Sequence, residues 1–280
     1  MCTSSSNKRI LLVLSLFLIT LPIISQDKSS RENNLRRISA MIDGIQCERP
    51  GVKALHDGPI NPSLWFSRVD AGENRVLFLL KNGYDYSGKD QGGYNICDGK
   101  RQYESLQVVR DDQDGPTTYI PMIYICNMLE REAAFSQVNV ESTDAFSTWK
   151  SSTAWVNVDK ELRAGGWDTD KAKLQRAANL NFDVLRLQIN TYCPNIIICG
   201  STLEFFLKPV QGGYQFFDYQ IPIGNQGVMP HSRNRKYYYN DKVIIFDAYH
   251  PSYTAYNNPT IEQYCNDIVS AIRKWQEEYQ

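Results

Sequence analysis

The sequence predicts an α/β fold, with a central, mostly parallel sheet flanked by helices on both faces. Three observations predict it. Apolar runs of strand length recur at residues 75–80, 154–158, 195–200 and 242–246. They are apolar throughout rather than at alternate positions, as strands buried on both faces must be. Segments of helical spacing separate these runs and follow the last one, which is the order of βαβ units. At 42% hydrophobic and 22% charged residues, the chain also carries enough apolar area to offset its conformational entropy, which excludes wholesale disorder.

The elements follow in order. Residues 26–70 are polar and mixed, broken by Pro50-Gly51 and Gly58-Pro59, and read as a lead-in with a short helix near 35–45 rather than a second domain. The folded α/β domain is placed at 71–280. Residues 75–80 (Arg-Val-Leu-Phe-Leu-Leu) form the first strand, ending in Lys81-Asn82-Gly83-Tyr84 and a Gly-rich loop with Gly88, Gly92 and Gly93. A strand is expected at 106–110 and a helix at 119–131. The next central strand, 154–158, is followed by a helix over about 170–192 whose Leu174, Ala177, Ala178, Leu185 and Ile189 form one apolar stripe. Pro194 opens the strand ending at Cys199-Gly200, and Ser201-Thr202 stand where a helix over 203–207 needs its N-cap. Residues 212–223 read as an antiparallel hairpin arm. The last strand, 242–246, leads into Asp247-Ala248-Tyr249-His250-Pro251-Ser252. A final helix covers about 260–279.

In such sheets ligands bind beyond the carboxyl ends of the strands. Asn82, Asn157, Gly200-Ser201 and His250 stand there. An amide offers a donor and an acceptor together, and so can read the edge of a planar heterocycle. A histidine after a strand can donate to a developing anion or exchange a proton. Each of these residues is also a common strand-ending turn residue. The sequence contains no GxSxG, GxxxxGK[ST] or GxGxxG turn.

Charge is balanced, with 30 Lys+Arg against 31 Asp+Glu, so no basic face for coating duplex DNA is advertised. The local exception is Ser232-Arg233-Asn234-Arg235-Lys236 followed by Tyr237-Tyr238-Tyr239, a basic and aromatic mixture that suits single-stranded nucleic acid and equally a solvated hairpin. Tyrosine is abundant, at 17 residues.

At the N-terminus, Lys8-Arg9 precede an apolar run at 10–24 and then Ser25-Gln26-Asp27. The run is short for a bilayer span, so residues 1–25 read as a signal peptide, with a short membrane anchor or an upstream extension from a misplaced start as alternatives. Export would place the chain outside the cytoplasm; without a signal it stays cytoplasmic or nuclear. Beyond Cys2, the cysteines are Cys47, Cys97, Cys126, Cys193, Cys199 and Cys265, an even set that permits disulfides in an oxidising compartment. None has CxxC spacing, and with three histidines no structural metal is expected.

Taken in order, Lys81-Asn82-Gly83-Tyr84, Asn157-Val158-Asp159-Lys160, residues 194–200 (Pro-Asn-Ile-Ile-Ile-Cys-Gly) and His250-Pro251-Ser252 resemble the uracil-DNA glycosylase superfamily over roughly residues 75–280. The resemblance implies a three-layer sandwich and hydrolysis of the N-glycosidic bond of a base flipped from the stack. It assigns Asn82 to positioning water and Tyr84 to walling the base pocket. Asn157 would read the base through O4 and N3–H of uracil, and His250 would meet negative charge on the departing base. Gly200, Ser201, Pro251 and Ser252 would shape a phosphate-binding turn, and Arg233, Arg235 and Lys236 would supply DNA contacts. The implied partner is DNA or a nucleotide, acted on by a monomer without cofactor. Gly83 stands where the family's first motif has its Pro, and no Leu or Arg wedge follows His-Pro-Ser. Two other readings remain: a catalytically inactive, exported module binding nucleotide, nucleic acid or protein, and a secreted α/β hydrolase pairing His250 with Asp247.

Overall fold

The computed structural model describes residues 27–85, 91–93, 118–164, 170–256 and 259–279. The N-terminal apolar run, the strand expected at 106–110 and Cys97 lie outside them.

Ten strands are present among these residues: β1 (Gly58–Pro59), β2 (Val76–Asp85), β3 (Thr153–Ala164), β4 (Ile196–Gly200), β5 (Leu207–Val210), β6 (Gly213–Phe216), β7 (Tyr219–Pro222), β8 (Gln226–Met229), β9 (Arg235–Tyr239) and β10 (Ile244–Ala248). Seven form one sheet in the order β1-β3-β2-β4-β10-β9-β8, and β5-β6-β7 form a separate antiparallel sheet. The four central strands β3, β2, β4 and β10 are mutually parallel, while β1, β9 and β8 pair antiparallel at the two sides. The sheet is thus α/β and mostly parallel, as the apolar runs require.

Side chains alternate between the two faces of a strand, and two hydrophobic clusters record that alternation. Val76, Phe78 and Leu80 of β2 join Trp155, Ile196, Ile198, Ile244 and Phe246 on one face. Leu77, Leu79, Val156, Val158, Ile197 and Ile245 join the cluster on the other. The first face is covered by α3 (Tyr119–Glu130), α4 (Thr143–Ser152) and α7 (Ile261–Tyr279). The second is covered by α1 (Lys28–Asp43), α2 (Pro62–Ala71), α5 (Lys171–Leu180) and α6 (Phe182–Tyr192). Among the described residues no helix is long and apolar enough to cross a membrane.

Several expectations change. Residues 26–70 are more than a lead-in: Ile38, Ile42, Ala54, Trp65 and Phe66 enter the second cluster, and β1 pairs with β3. The helix expected over 170–192 is divided at Asn181, whose buried side chain donates to the Val158 carbonyl. A helix over 203–207 shrinks to one 3-10 turn, Leu203–Phe205, because the Thr202 hydroxyl donates to the Leu79 carbonyl instead of capping. The five described cysteines, Cys47, Cys126, Cys193, Cys199 and Cys265, are unpaired. The glycine at 83 has a packing reason: a Cβ there would lie 3.0 Å from both Leu162 and Leu55.

The N-terminal segment is tied to the sheet by a buried polar network. Lys160 Nζ meets Asp57 Oδ1 at 2.6 Å, with both side chains fully buried. Gln188 of α6 bridges them, donating to Asp57 Oδ1 at 2.8 Å and accepting from Lys160 at 2.9 Å. Asp57 Oδ2 accepts the backbone N–H of Asn157 at 2.7 Å, and Tyr192 donates its hydroxyl to the Asp57 carbonyl. Removing one member of a buried pair strands the other charge in the core. Asp57→Ala is therefore expected to lower unfolding stability by about 3–5 kcal/mol, measured by urea titration. Replacing both charges by apolar residues, Asp57→Leu with Lys160→Met, should recover much of that loss.

Candidate functional site

From β2 the chain crosses to β3 on one side, then returns past β2 to β4 on the other. Such a reversal opens a crevice at the carboxyl ends of the two strands flanking it. Here those ends are Leu80-Lys81-Asn82 and Gly200-Ser201, with the exit of β10, His250, alongside.

Gly200 permits the crevice to close. A Cβ there would lie 2.7 Å from Leu80 Cδ2, 3.3 Å from His250 Cα and 3.5 Å from Pro251 Cδ. The ends of β2, β4 and β10 meet at this one residue. Ser201 takes the left-handed backbone conformation (φ 59°) and donates its N–H to the carbonyls of Cys199 and Ala248. That backbone donor serves the turn and is not available to a phosphate.

His250 is half-buried and held by its own turn. Its Nδ1 lies 2.7 Å from Ser252 Oγ and 3.3 Å from the Ser252 backbone nitrogen, whose N–H donates to it. A nitrogen that accepts that N–H carries no proton of its own, so the hydroxyl donates too and the ring proton resides on Nε2. Burial, and then the charge of Lys81, lower its pKa to about 4. The result is a neutral imidazole presenting an N–H. Lys81 received no role from the sequence, although it sits inside the first motif.

Asn82 is buried and continues the face of Val76, Phe78 and Leu80, opposite Asp159 in register. Its Nδ2 donates to the Gly83 carbonyl at 3.1 Å. Tyr84 follows on β2 opposite Arg163, past an irregularity in the pairing; its side chain lies outside the described set. Asn157 pairs with Leu80, and alternation puts its side chain on the same face as Asn82 and Gly200. It is fully buried, its Oδ1 accepts from Trp155 Nε1 at 2.9 Å, and its Nδ2 has no hydrogen-bond partner among the described residues. The structure therefore brings Gly200, Ser201, His250, Pro251 and Ser252 into one turn cluster, with Asn82 and Asn157 on the same face of the adjoining strands.

The basic strip divides. Arg233 lies in the β8–β9 turn with φ 52° and is exposed, and Lys236 is exposed beside Gln226. Arg235 reaches the exit of β10: it pairs with Asp247 at 2.5 Å and lies 4.2 Å over the Tyr249 ring, which stacks on Tyr253 at 4.7 Å. The tyrosine run is no stacking surface: Tyr237 and Tyr238 are buried in opposite clusters, one on each face of the sheet. The Asp247 carboxylate is committed to Arg235 while His250 Nδ1 is committed to Ser252, so the acid–base pair that the hydrolase reading requires is not assembled.

Elsewhere, a polar cavity of about 600 Å³ opens among Asp43, Gln46, Cys47, Arg49 and Lys53. Burial, reinforced by Glu161 and Asp159, pushes the Cys47 thiol up to about 11. Among the described residues no three His, Cys, Asp or Glu side chains converge as a metal set. Compared with known proteins, the chain matches no family model and no curated sequence.

The His250 environment has a pH consequence. Its pKa drops from 6.5 to about 4 on folding, so between these values the unfolded chain binds the proton and the folded chain does not. Stability contributed by the neutral ring is present above about pH 6.5 and is lost as pH falls toward 4. Imidazole NMR titration should show a neutral ring at pH 5.5, and His250→Gln should flatten this part of the stability profile.

Proposed function

We propose that the chain is an N-glycosidic hydrolase of the uracil-DNA glycosylase type, acting on uracil or a related base flipped out of the stack. The observation that carries this reading is the neutral His250 with its proton fixed on Nε2 at the carboxyl rim of the sheet. When the bond between C1′ of the sugar and N1 of the base breaks, the electron pair leaves with the base. Its negative charge spreads onto the ring oxygens. A neutral imidazole stabilises that charge by donating through Nε2, and gains little by protonating, because its own pKa is low.

Water must then reach C1′, and Asn82 is the residue assigned to hold it. An amide orients water without strongly activating it, so the oxocarbenium-like sugar has to do most of the work of drawing it in. Asn157 reads the base, Tyr84 walls its pocket, and the turn of Gly200, Ser201, Pro251 and Ser252 takes a phosphate. Arg235, fixed by Asp247 and Tyr249, and exposed Arg233 supply positive charge for the backbone of the nucleic acid. A second reading, a catalytically inactive nucleotide-, nucleic-acid- or protein-binding module, is favoured by one observation: an amide, not a carboxylate, stands at Asn82.

Incubation with a single-stranded oligonucleotide containing uracil, followed by alkali, should give strand breaks at the abasic site. Losing one preorganised donor lowers such rates by roughly 100- to 1000-fold, so His250→Ala should fall in that range with folding retained, and Asn82→Ala should fall with it. The absence of breaks on uracil, hypoxanthine and mismatch substrates would favour the binding module.

A further inference from the structure

We infer that Trp155 is a positioning residue: it fixes the Asn157 amide so that the NH2, not the carbonyl, is offered to the bound base. This rests on the glycosylase reading of the same site and deepens it, because it specifies the ligand's chemistry at that contact. The atom meeting Asn157 must be an acceptor, as the O4 carbonyl of uracil is where cytosine carries its amine.

The argument is one of donors and acceptors. Trp155 and Asn157 lie two residues apart on β3 and therefore side by side on one face. Indole Nε1 can only donate, and it lies 2.9 Å from Asn157 Oδ1. Turning the amide over would set its NH2 against the indole N–H, two donors in contact inside a buried site. The orientation is thus decided by chemistry.

Neither partner is free to move. Asn157 is held through its backbone N–H by Asp57 Oδ2 at 2.7 Å. Trp155 is 8% exposed, with the Tyr119 ring 5.5 Å away. What remains is Nδ2, fully buried and without a hydrogen-bond partner among the described residues. Burying such a donor unpaired is unfavourable in the empty protein, and a ligand acceptor relieves it. Bidentate reading through O4 and N3–H then gives way to reading dominated by donation to a carbonyl. Uracil satisfies that donor; the exocyclic amine of cytosine opposes it.

Trp155→Phe keeps an aromatic ring beside Tyr119 and deletes the N–H together with part of the indole ring. The amide is then free to turn, and discrimination between uracil and cytosine in single-stranded oligonucleotide should fall by roughly five- to 100-fold, with kcat on uracil changing less than the ratio. Unchanged discrimination in a folded Trp155→Phe protein overturns the inference. The lock has its own readout, independent of activity, in the indole N–H region of a 15N-labelled NMR spectrum. The Trp155 signal, identified by its loss in Trp155→Phe, should shift upfield in Asn157→Leu; an unmoved signal overturns the lock. If the wild type excises nothing, the glycosylase reading fails, and the inference is decided by titrating the same spectrum with deoxyuridine and deoxycytidine. Response of the Trp155 signal to deoxyuridine at the lower concentration supports it. Equal response, or none, overturns it.

Discussion

Burial of the four parallel strands on both faces governs where chemistry can occur in this protein. With helices over each side, residues 76–80 of β2, 196–199 of β4 and 244–246 of β10 are apolar, since an unpaired polar group there is expensive. Polar side chains with freedom to act can appear only where the strands run out. Leu80 precedes Asn82 by one alternation, Ile198 precedes Gly200, and Phe246 and Ala248 precede His250 along the same side. The crevice is thus the boundary of the core.

β3 departs from this rule, and its charged departures are compensated. Asn157, Asp159, Lys160 and Glu161 are buried within one strand. Lys160 is neutralised by Asp57, and Asp159 by Arg163. Glu161 accepts the backbone N–H groups of Glu48 and Arg49. Burial still raises the Asp159 carboxyl pKa, with the Glu161 backbone N–H and Arg163 pulling the other way. The segment at 48–57 supplies three of these partners, so the polar end of β3 and the N-terminal segment stabilise each other.

Much of this was legible in the sequence. The strands at 76–80, 196–200 and 244–246 announce themselves by uninterrupted apolarity, and the ends of those strands point to Asn82, Gly200 and His250. The core role of the N-terminal segment is hard to read because its apolar residues, Ile38 and Ile42 and then Trp65 and Phe66, fall in two short groups separated by a polar stretch with Pro50-Gly51 and Gly58-Pro59. Its attachment through Asp57 is a long-range ion pair that no local pattern encodes. The serine at 252 reads as a turn residue, and only three-dimensional geometry shows it holding the imidazole. Trp155 was counted as an apolar strand residue, since its N–H has meaning only beside Asn157. The tyrosine run misled for a related reason: on a strand, adjacent aromatics face opposite ways and cannot form one surface.

The grip of Ser252 on His250 has one more implication. A histidine with both nitrogens accessible can take a proton at one and release it at the other, passing it through the ring. Here Nδ1 is occupied by a hydroxyl and a backbone amide, so that nitrogen does not exchange directly with solvent. On the proposed glycosylase reading, His250 would act as a fixed donor through Nε2, and the proton that the departing base acquires would come by another route.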